Sequence, residues 1–232
     1  MAPTFNVAVF LYPGADVMDF TGPVEVYSTR PADGSASRFK IHTFAHNNPV
    51  NTGSLVYVPS NTFEDVEQRL SDFDFLVVPG AHPDVLDEYI PSEEGKRTIG
   101  LIAKFATLPP RKETGHRVLQ SVCSGALLLA AAGILAGRTV TTHHICYDAL
   151  KRIADQVSGG DAKVEVVRKR WVDAGFTGEG VRIVNAGGVS SGIDTSLWLV
   201  EMLLGKEAFE WTQEIMEFER RGEADGWGVK KA

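Results

Sequence analysis

Residues 117–126 read RVLQSVCSGA, and they run directly into the apolar stretch LLLAAA of residues 127–132. Arg117–Val122 has the composition of a short buried strand. Ser124–Ala132 is apolar almost all round, as expected of a helix packed on every side. Cys123 stands at the junction between them, on a tight turn from strand to helix. In an open α/β sheet such a turn lies at the carboxyl edge of the strands, where ligands gather.

Working outward, the same alternation repeats along the chain. Phe5–Tyr12, Arg38–Ala45, Leu55–Val58, Phe73–Val78, Arg138–Thr142, Lys163–Val167 and Val181–Asn185 read as strands. Phe5–Tyr12 is nearly all apolar, the pattern of a strand covered on both faces. Gly22–Ser28 with Pro23 in its first turn, Ser92–Leu108 with a Ser cap and two acids behind it, Ile145–Ile153, Ile193–Leu204 and Glu207–Arg220 read as helices. Ser158–Asp161 and Asp173–Gly180 read as Gly-rich turns. The expected fold is α/β: a three-layer sandwich with a mostly parallel central sheet and helices on both faces. A single domain over residues 1–232 is expected, with its core at about 5–204 and a closing helix and tail at 206–232. The tail Gly222–Ala232 is polar and is expected either to fray or to pack through Trp227.

Composition removes several function classes. The chain has 232 residues, 23 basic and 30 acidic, for a formal charge of −7. That balance argues against a nucleic-acid partner, which needs a basic face. Two cysteines, Cys123 and Cys146, do not make a disulfide framework. Phe5–Tyr12 is followed at once by Pro13-Gly14 and has no basic region before it, so it reads as a strand, not a leader. Ala126–Gly137 is too short to span a membrane. The expectation is a cytoplasmic protein with a small-molecule substrate and no membrane partner.

Cys123 is the leading candidate for chemistry. A helix N-terminus offers free N–H groups and partial positive charge, which favour thiolate and predict a lowered thiol pKa; the alternative is a buried structural cysteine. Cys146, on the apolar side of a helix, is assigned to that structural role. Gly80-Ala81 follows the strand FDFLVVP, and its amides, with that of Ser124, could hold a developing anion; taken on its own, the segment reads first as an ordinary strand-to-loop turn. Asp19, after the first strand, is either a proton shuttle for Cys123 or a helix cap. His143-His144 would point to opposite faces if the strand continued, which argues against a metal site. His82 could face the same cleft or merely wall it. Gly188-Val-Ser190-Ser-Gly192 matches G-x-S-x-G, but all six His precede Ser190, against the order a serine hydrolase of that type needs. Ser190 or Ser191 is therefore expected to cap the last core helix. No phosphate-binding glycine motif is present.

Taken together, the segments Asp19-Phe-Thr-Gly-Pro23, Val78-Pro-Gly-Ala81, Ser121-Val-Cys-Ser-Gly-Ala126, the stretch from Ala131 to His143, and Ala186-Gly-Gly-Val-Ser-Ser-Gly-Ile-Asp194 resemble the ThiJ/PfpI superfamily. The likeness runs from about Val7 to Leu204. Within it, the segments around Asp19 and Cys123 look most like isonitrile hydratases. The resemblance implies a flavodoxin-like fold of the class I glutamine amidotransferase type, a homodimer, and a cofactor-free and metal-free hydratase that turns an isonitrile into an N-substituted formamide. It implies Cys123 as nucleophile, Asp19 as its acidic partner, Ser124, Gly80 and Ala81 as substrate-side groups, and His143 near the pocket. Ala81 stands where those enzymes carry a second Gly. A glyoxalase III-type lyase, another small-molecule cysteine enzyme of secondary metabolism and a non-catalytic redox sensor on the same scaffold are the other readings. The stretch after Leu204 is expected to be too short for the DNA-binding domain that some related regulators carry.

Overall fold

The structure is a computed structural model, described here over residues 3–229. In chain order the strands are β1 (Phe5–Phe10), β2 (Phe39–Ala45), β3 (Val50–Asn51), β4 (Val56–Tyr57), β5 (Asn61–Thr62), β6 (Phe75–Val78), β7 (Val118–Ser121), β8 (Thr139–Val140), β9 (Glu165–Val166), β10 (Trp171–Phe176) and β11 (Arg182–Ala186). The helices are α1 (Val17–Ser28), α2 (Phe63–Gln68), α3 (Pro83–Tyr89), α4 (Glu93–Phe105), α5 (Ala126–Ala131), α6 (Tyr147–Val157), α7 (Ser191–Leu204) and α8 (Lys206–Met216).

Seven strands form one sheet in the order β10-β11-β7-β6-β1-β2-β5. Every pair in it is parallel except β10 with β11. β1, β6 and β7 are buried almost throughout, as expected of mainly apolar parallel strands covered on both sides, and the polar Gln120 and Ser121 of β7 are buried with them. α1 packs on α7 and α7 on α8, while α5 packs on α4 and α6, giving the two helical layers. Tyr27 of α1 donates its hydroxyl to Gln120 Oε1 of β7 (2.6 Å), and Gln120 Nε2 donates to Ser196 Oγ of α7 (2.9 Å). This buried chain fixes both helices over the sheet, since an unsatisfied member would cost about 1–3 kcal/mol. The sandwich expected from the sequence is present.

Several elements differ from the sequence expectation. The helix placed at Gly22–Ser28 begins at Val17, because Asp16 caps it by accepting from Met18 N–H (3.1 Å). Pro23 therefore lies inside the helix and not in its first turn. The stretch 171–176, partly assigned to a turn, is the edge strand β10; only residues 177–180 turn, and a register shift between Asp173 and Phe176 accommodates Gly175. α2 and α3 are short and were not anticipated. Leu55–Val58 contributes only β4, in a hairpin with β3 outside the main sheet. Arg138–Thr142 and Lys163–Val167 shrink to β8 and β9, a separate parallel ribbon. Ser190 does not cap α7 through its side chain; its hydroxyl accepts from Arg170 Nη2 (2.9 Å). Cys146 sits in a 3-10 turn ahead of α6, not within the helix, and is buried. The tail segment 222–229 is held to the body, with Arg170 N–H donating to the Glu223 carbonyl (2.7 Å); the remainder of the tail lies outside the described residues. Among the described residues no helix is long and apolar enough to cross a membrane.

Candidate active site

The chain leaves β1 toward β2 and β5 on one side, then returns to β6 and β7 on the other. Between β1 and β6 the connections part in opposite directions, which opens a crevice at the carboxyl ends of the strands. Three exits meet there. After β1 come Asp16 and Asp19; after β6, Gly80 and Ala81; after β7, Cys123 and Ser124. The first two exits are bonded to each other: Asp16 N–H donates to the Gly80 carbonyl (2.8 Å), and Ala15 pairs with Ala81 as an isolated bridge.

Cys123 occupies the left-handed backbone region, with φ +57°. Such a conformation is uncommon for a non-glycine residue and marks a constrained position. Its N–H donates to the Gly187 carbonyl (2.8 Å), and its carbonyl accepts from Thr142 Oγ1 (2.7 Å). These two bonds hold the turn from both sides. The β6 and β7 exits also meet at backbone distance. A Cβ on Gly80 would lie 2.4 Å from Ser124 Oγ, and one on Gly125 would lie 2.3 Å from the Val78 carbonyl oxygen. Only glycine allows that approach at either position.

The two amides expected to face a substrate are already committed. Gly80 N–H donates to Asp19 Oδ2 (2.8 Å), and Ala81 N–H donates to Ser124 Oγ (2.9 Å). The Ser124 hydroxyl in turn donates to the Ala81 carbonyl (2.6 Å). Gly80, Ala81 and the Ser124 side chain thus assemble the site rather than supply free donors. Ala81 has an ordinary negative φ, so the residue standing in place of a second glycine is unstrained. The N–H groups aimed at the Cys123 sulfur are those of Val189 and Ser124. Val189 was not singled out from the sequence. Its φ of +24° is exceptional for a β-branched residue, and no local pattern announces it.

The expected lowering of the Cys123 pKa is overturned. Burial first, and the neighbouring Asp19 charge second, push the thiol up to about 12, against the two amides that lower it. The helix behind the turn cannot compensate, because it opens as a single 3-10 turn, residues 123–125, followed by the six residues of α5. The sulfur is therefore a thiol at neutral pH. Asp19 is fully buried, and its pKa rises to about 7. Desolvation is the main cause and Asp16 adds to it; the Gly80 amide and the Cys123 thiol pull the other way. Asp19 is not the helix cap, which is Asp16. Among the described residues its second oxygen, Oδ1, has no hydrogen bond of normal geometry. Tyr12 donates to the Pro79 carbonyl (3.1 Å) and steadies the peptide next to Gly80; burial holds its own pKa well above the usual value.

A cleft of about 180 Å³ opens over the sulfur, lined by Asp16, Ala81, His82, Cys123, His143 and Val189 among others. Cys146 also reaches its wall. His143 is held with its Nδ1 accepting from Ile145 N–H (3.4 Å); burial lowers its pKa, and His144 adds to this. The two histidines do not point apart. They stand past the end of β8, and their rings lie 4.5 Å from centroid to centroid. Among the described residues no group of three His, Cys, Asp or Glu is arranged to hold a metal ion. His82 caps α3, accepting from Asp84 N–H (3.4 Å), and its ring is largely exposed at the cleft mouth. Thr142, Val189 and Tyr12 all bear on the site through backbone contacts, which leave no trace in the sequence.

Comparison with known proteins gives a coherent result. Over 215 residues the chain is 28% identical to isonitrile hydratase of Pseudomonas putida, covering 92% of this chain and 78% of that protein. The structure matches a ThiJ/PfpI family protein of Pseudomonas syringae with a TM-score of 0.70 and 26% identity, over 96% of this chain and 78% of that one. Drosophila melanogaster DJ-1beta shares the fold with a TM-score of 0.64 at 18% identity, over 93% and 99% of the two chains. The family model described as DJ-1/PfpI matches residues 6–181. The chain belongs to the DJ-1/PfpI family, on the α/β fold of the class I glutamine amidotransferases.

Proposed function

We propose that the protein is a cysteine-dependent isonitrile hydratase. The observation that carries this reading is the Cys123 thiol on its strained turn at the cleft, set beside a buried carboxyl, Asp19, with burial pushing both groups toward their protonated forms. An isonitrile carbon can accept a nucleophile and a proton at the same atom. Addition of S–H across that carbon needs both at one place, and this pair supplies them without a preformed thiolate.

Asp19 as carboxylate takes the thiol proton while the sulfur attacks the terminal carbon. The same carboxyl returns that proton to the carbon, whose lone pair becomes the C–H bond. The product is a thioformimidate, R–N=CH–S–Cys123. Water then adds to the C=N carbon, giving up a proton through Asp19 while the nitrogen gains one. Collapse breaks the C–S bond, the sulfur regains its proton, and R–NH–CHO leaves. In sum, R–NC and H2O give the formamide. The amides of Val189 and Ser124 stabilise charge developing on sulfur as it enters and leaves. The similarity to the Pseudomonas putida enzyme supports the same reading.

Purified protein supplied with cyclohexyl isocyanide should release N-cyclohexylformamide, read by mass spectrometry, and Cys123→Ala should abolish it. Formation of lactate from methylglyoxal with no formamide would replace the hydratase by a glyoxalase-type lyase. Full formamide turnover by Cys123→Ala would remove nucleophilic catalysis.

A further inference from the structure

A second cavity, of about 260 Å³, adjoins the Cys123 cleft and shares His143 and Val189 with it. Neither hollow alone reaches the roughly 300 Å³ at which small-molecule sites begin, though the two together exceed it, and the cleft over the sulfur is the smaller. It has room for a reacting head group but not for a sizeable substituent. The second cavity has its own chemistry. One wall is aromatic: the Trp227 indole lies against His144 with centroids 5.9 Å apart and planes 30° apart, and Tyr147 stands beside them. The other wall carries Arg170, whose side chain is only 8% exposed. Its Nε donates to Asp194 Oδ2 (2.7 Å) and its Nη2 to Ser190 Oγ (2.9 Å), while Nη1 has no partner among the described residues. Ser190 Oγ accepts from Arg170 and so keeps its own proton to donate.

We infer that this cavity holds the substituent on the isonitrile nitrogen and selects one that bears an aromatic ring and a carboxylate. This rests on the hydratase reading. The ring lies against Trp227 and His144, and the carboxylate accepts from Arg170 Nη1 and from the Ser190 hydroxyl. Asp194 already balances most of the guanidinium charge, so the fit is to a single negative charge, not to a phosphate dianion. The protein's own charge of −7 gives no general attraction for anions, and the other cation of the lining, Lys169, is paired with Glu223 (2.7 Å), which leaves these two donors as the source of selection. His143, in both walls, stands between the head group and the substituent.

The test compares 2-isocyano-3-phenylpropanoate, its methyl ester and cyclohexyl isocyanide. The acid should exceed its neutral ester in kcat/KM by about tenfold or more, the worth of one hydrogen bond to a charged group. Ser190→Ala should shrink the ratio of acid to ester, and Trp227→Phe should lower kcat/KM for both relative to cyclohexyl isocyanide. These replacements spare the buried Arg170–Asp194 pair, whose disruption could unfold the chain. Equal rates for acid and ester would overturn the inference. In a separate arm, N-formylphenylalanine should quench tryptophan fluorescence more strongly than its methyl ester, and Trp227→Phe should remove the quench. Selective binding without turnover of any isonitrile would uphold the subsite and sink the hydratase reading. Binding without preference for the carboxylate would sink the subsite.

Discussion

At Cys123 and Asp19, taking a charge out of water outweighs both the amides around the sulfur and the acidic position in a first helical turn. The result is two neutral-leaning groups side by side, and it dictates a pH profile. If Asp19 must be ionised to accept the thiol proton, kcat/KM rises with pH through about 7 and then stays level, because the thiol itself ionises only near 12. Initial rates between pH 5 and pH 9 check this. Asp19→Asn should lose the inflection and about 10²–10⁴ in rate. An unchanged rate would leave Asp19 with a structural role alone. At this scale the sequence was legible where a residue's type and its place at a strand exit both mattered, as for Cys123 and Asp19. It misled on ionisation, because burial depends on what distant segments place around the sulfur. It was silent on Val189 and Thr142, which act through an N–H and a hydroxyl bonded to backbone.

Among the elements, the decisive contact is between the exits of β6 and β7. Ser124 bridges them by accepting from Ala81 N–H and donating to its carbonyl, and Gly80 and Gly125 allow the backbones to touch. Gly80→Ala forces a methyl into Ser124 and should cost about 1–3 kcal/mol, the usual penalty for overpacking. It should also move the amide that Asp19 accepts from. Ser124→Ala leaves two buried backbone groups unpaired and should cost a similar amount. Urea unfolding midpoints of both variants measure these losses; midpoints equal to that of the parent protein would contradict the bridge. Strand and helix alternation was readable from periodicity. Short pieces such as α2 and α3 carry too few residues for a period. The start of α1 was hidden because Thr21-Gly22-Pro23 looks like a turn, while the cap that overrules it, Asp16, lies further back. β10 was hidden by Gly175, which the structure absorbs in a bulge.

For the molecule as a whole, Asp19 makes stability depend on pH in the direction opposite to an ordinary ion-paired carboxylate. Its folded pKa, about 7, lies above the unfolded value near 3.9. The fold favours the protonated form, so this contribution is complete below about pH 4 and disappears as pH rises through 7. Between pH 5 and pH 8 the parent protein should lose stability relative to Asp19→Asn, by at most about 3 kcal/mol. Paired denaturation curves at the two pH values decide it; parallel behaviour would mean that the carboxyl is solvated. A parallel sheet with helices on both faces was legible from the alternation of strands and helices; the crevice between β1 and β6 follows from the spatial order of the strands, which alternation does not give.

The parting of the chain at that crevice has a consequence for biosynthesis. Asp19 leaves the ribosome long before Cys123, and the two meet only when β1, β6 and β7 have come together. Until β7 docks beside β6, the emerging sulfur is an ordinary thiol in water, titrating near its unperturbed value and open to oxidants and electrophiles. Completion of the central strands withdraws it from that exposure and, in the same event, sets it beside the buried carboxyl of Asp19.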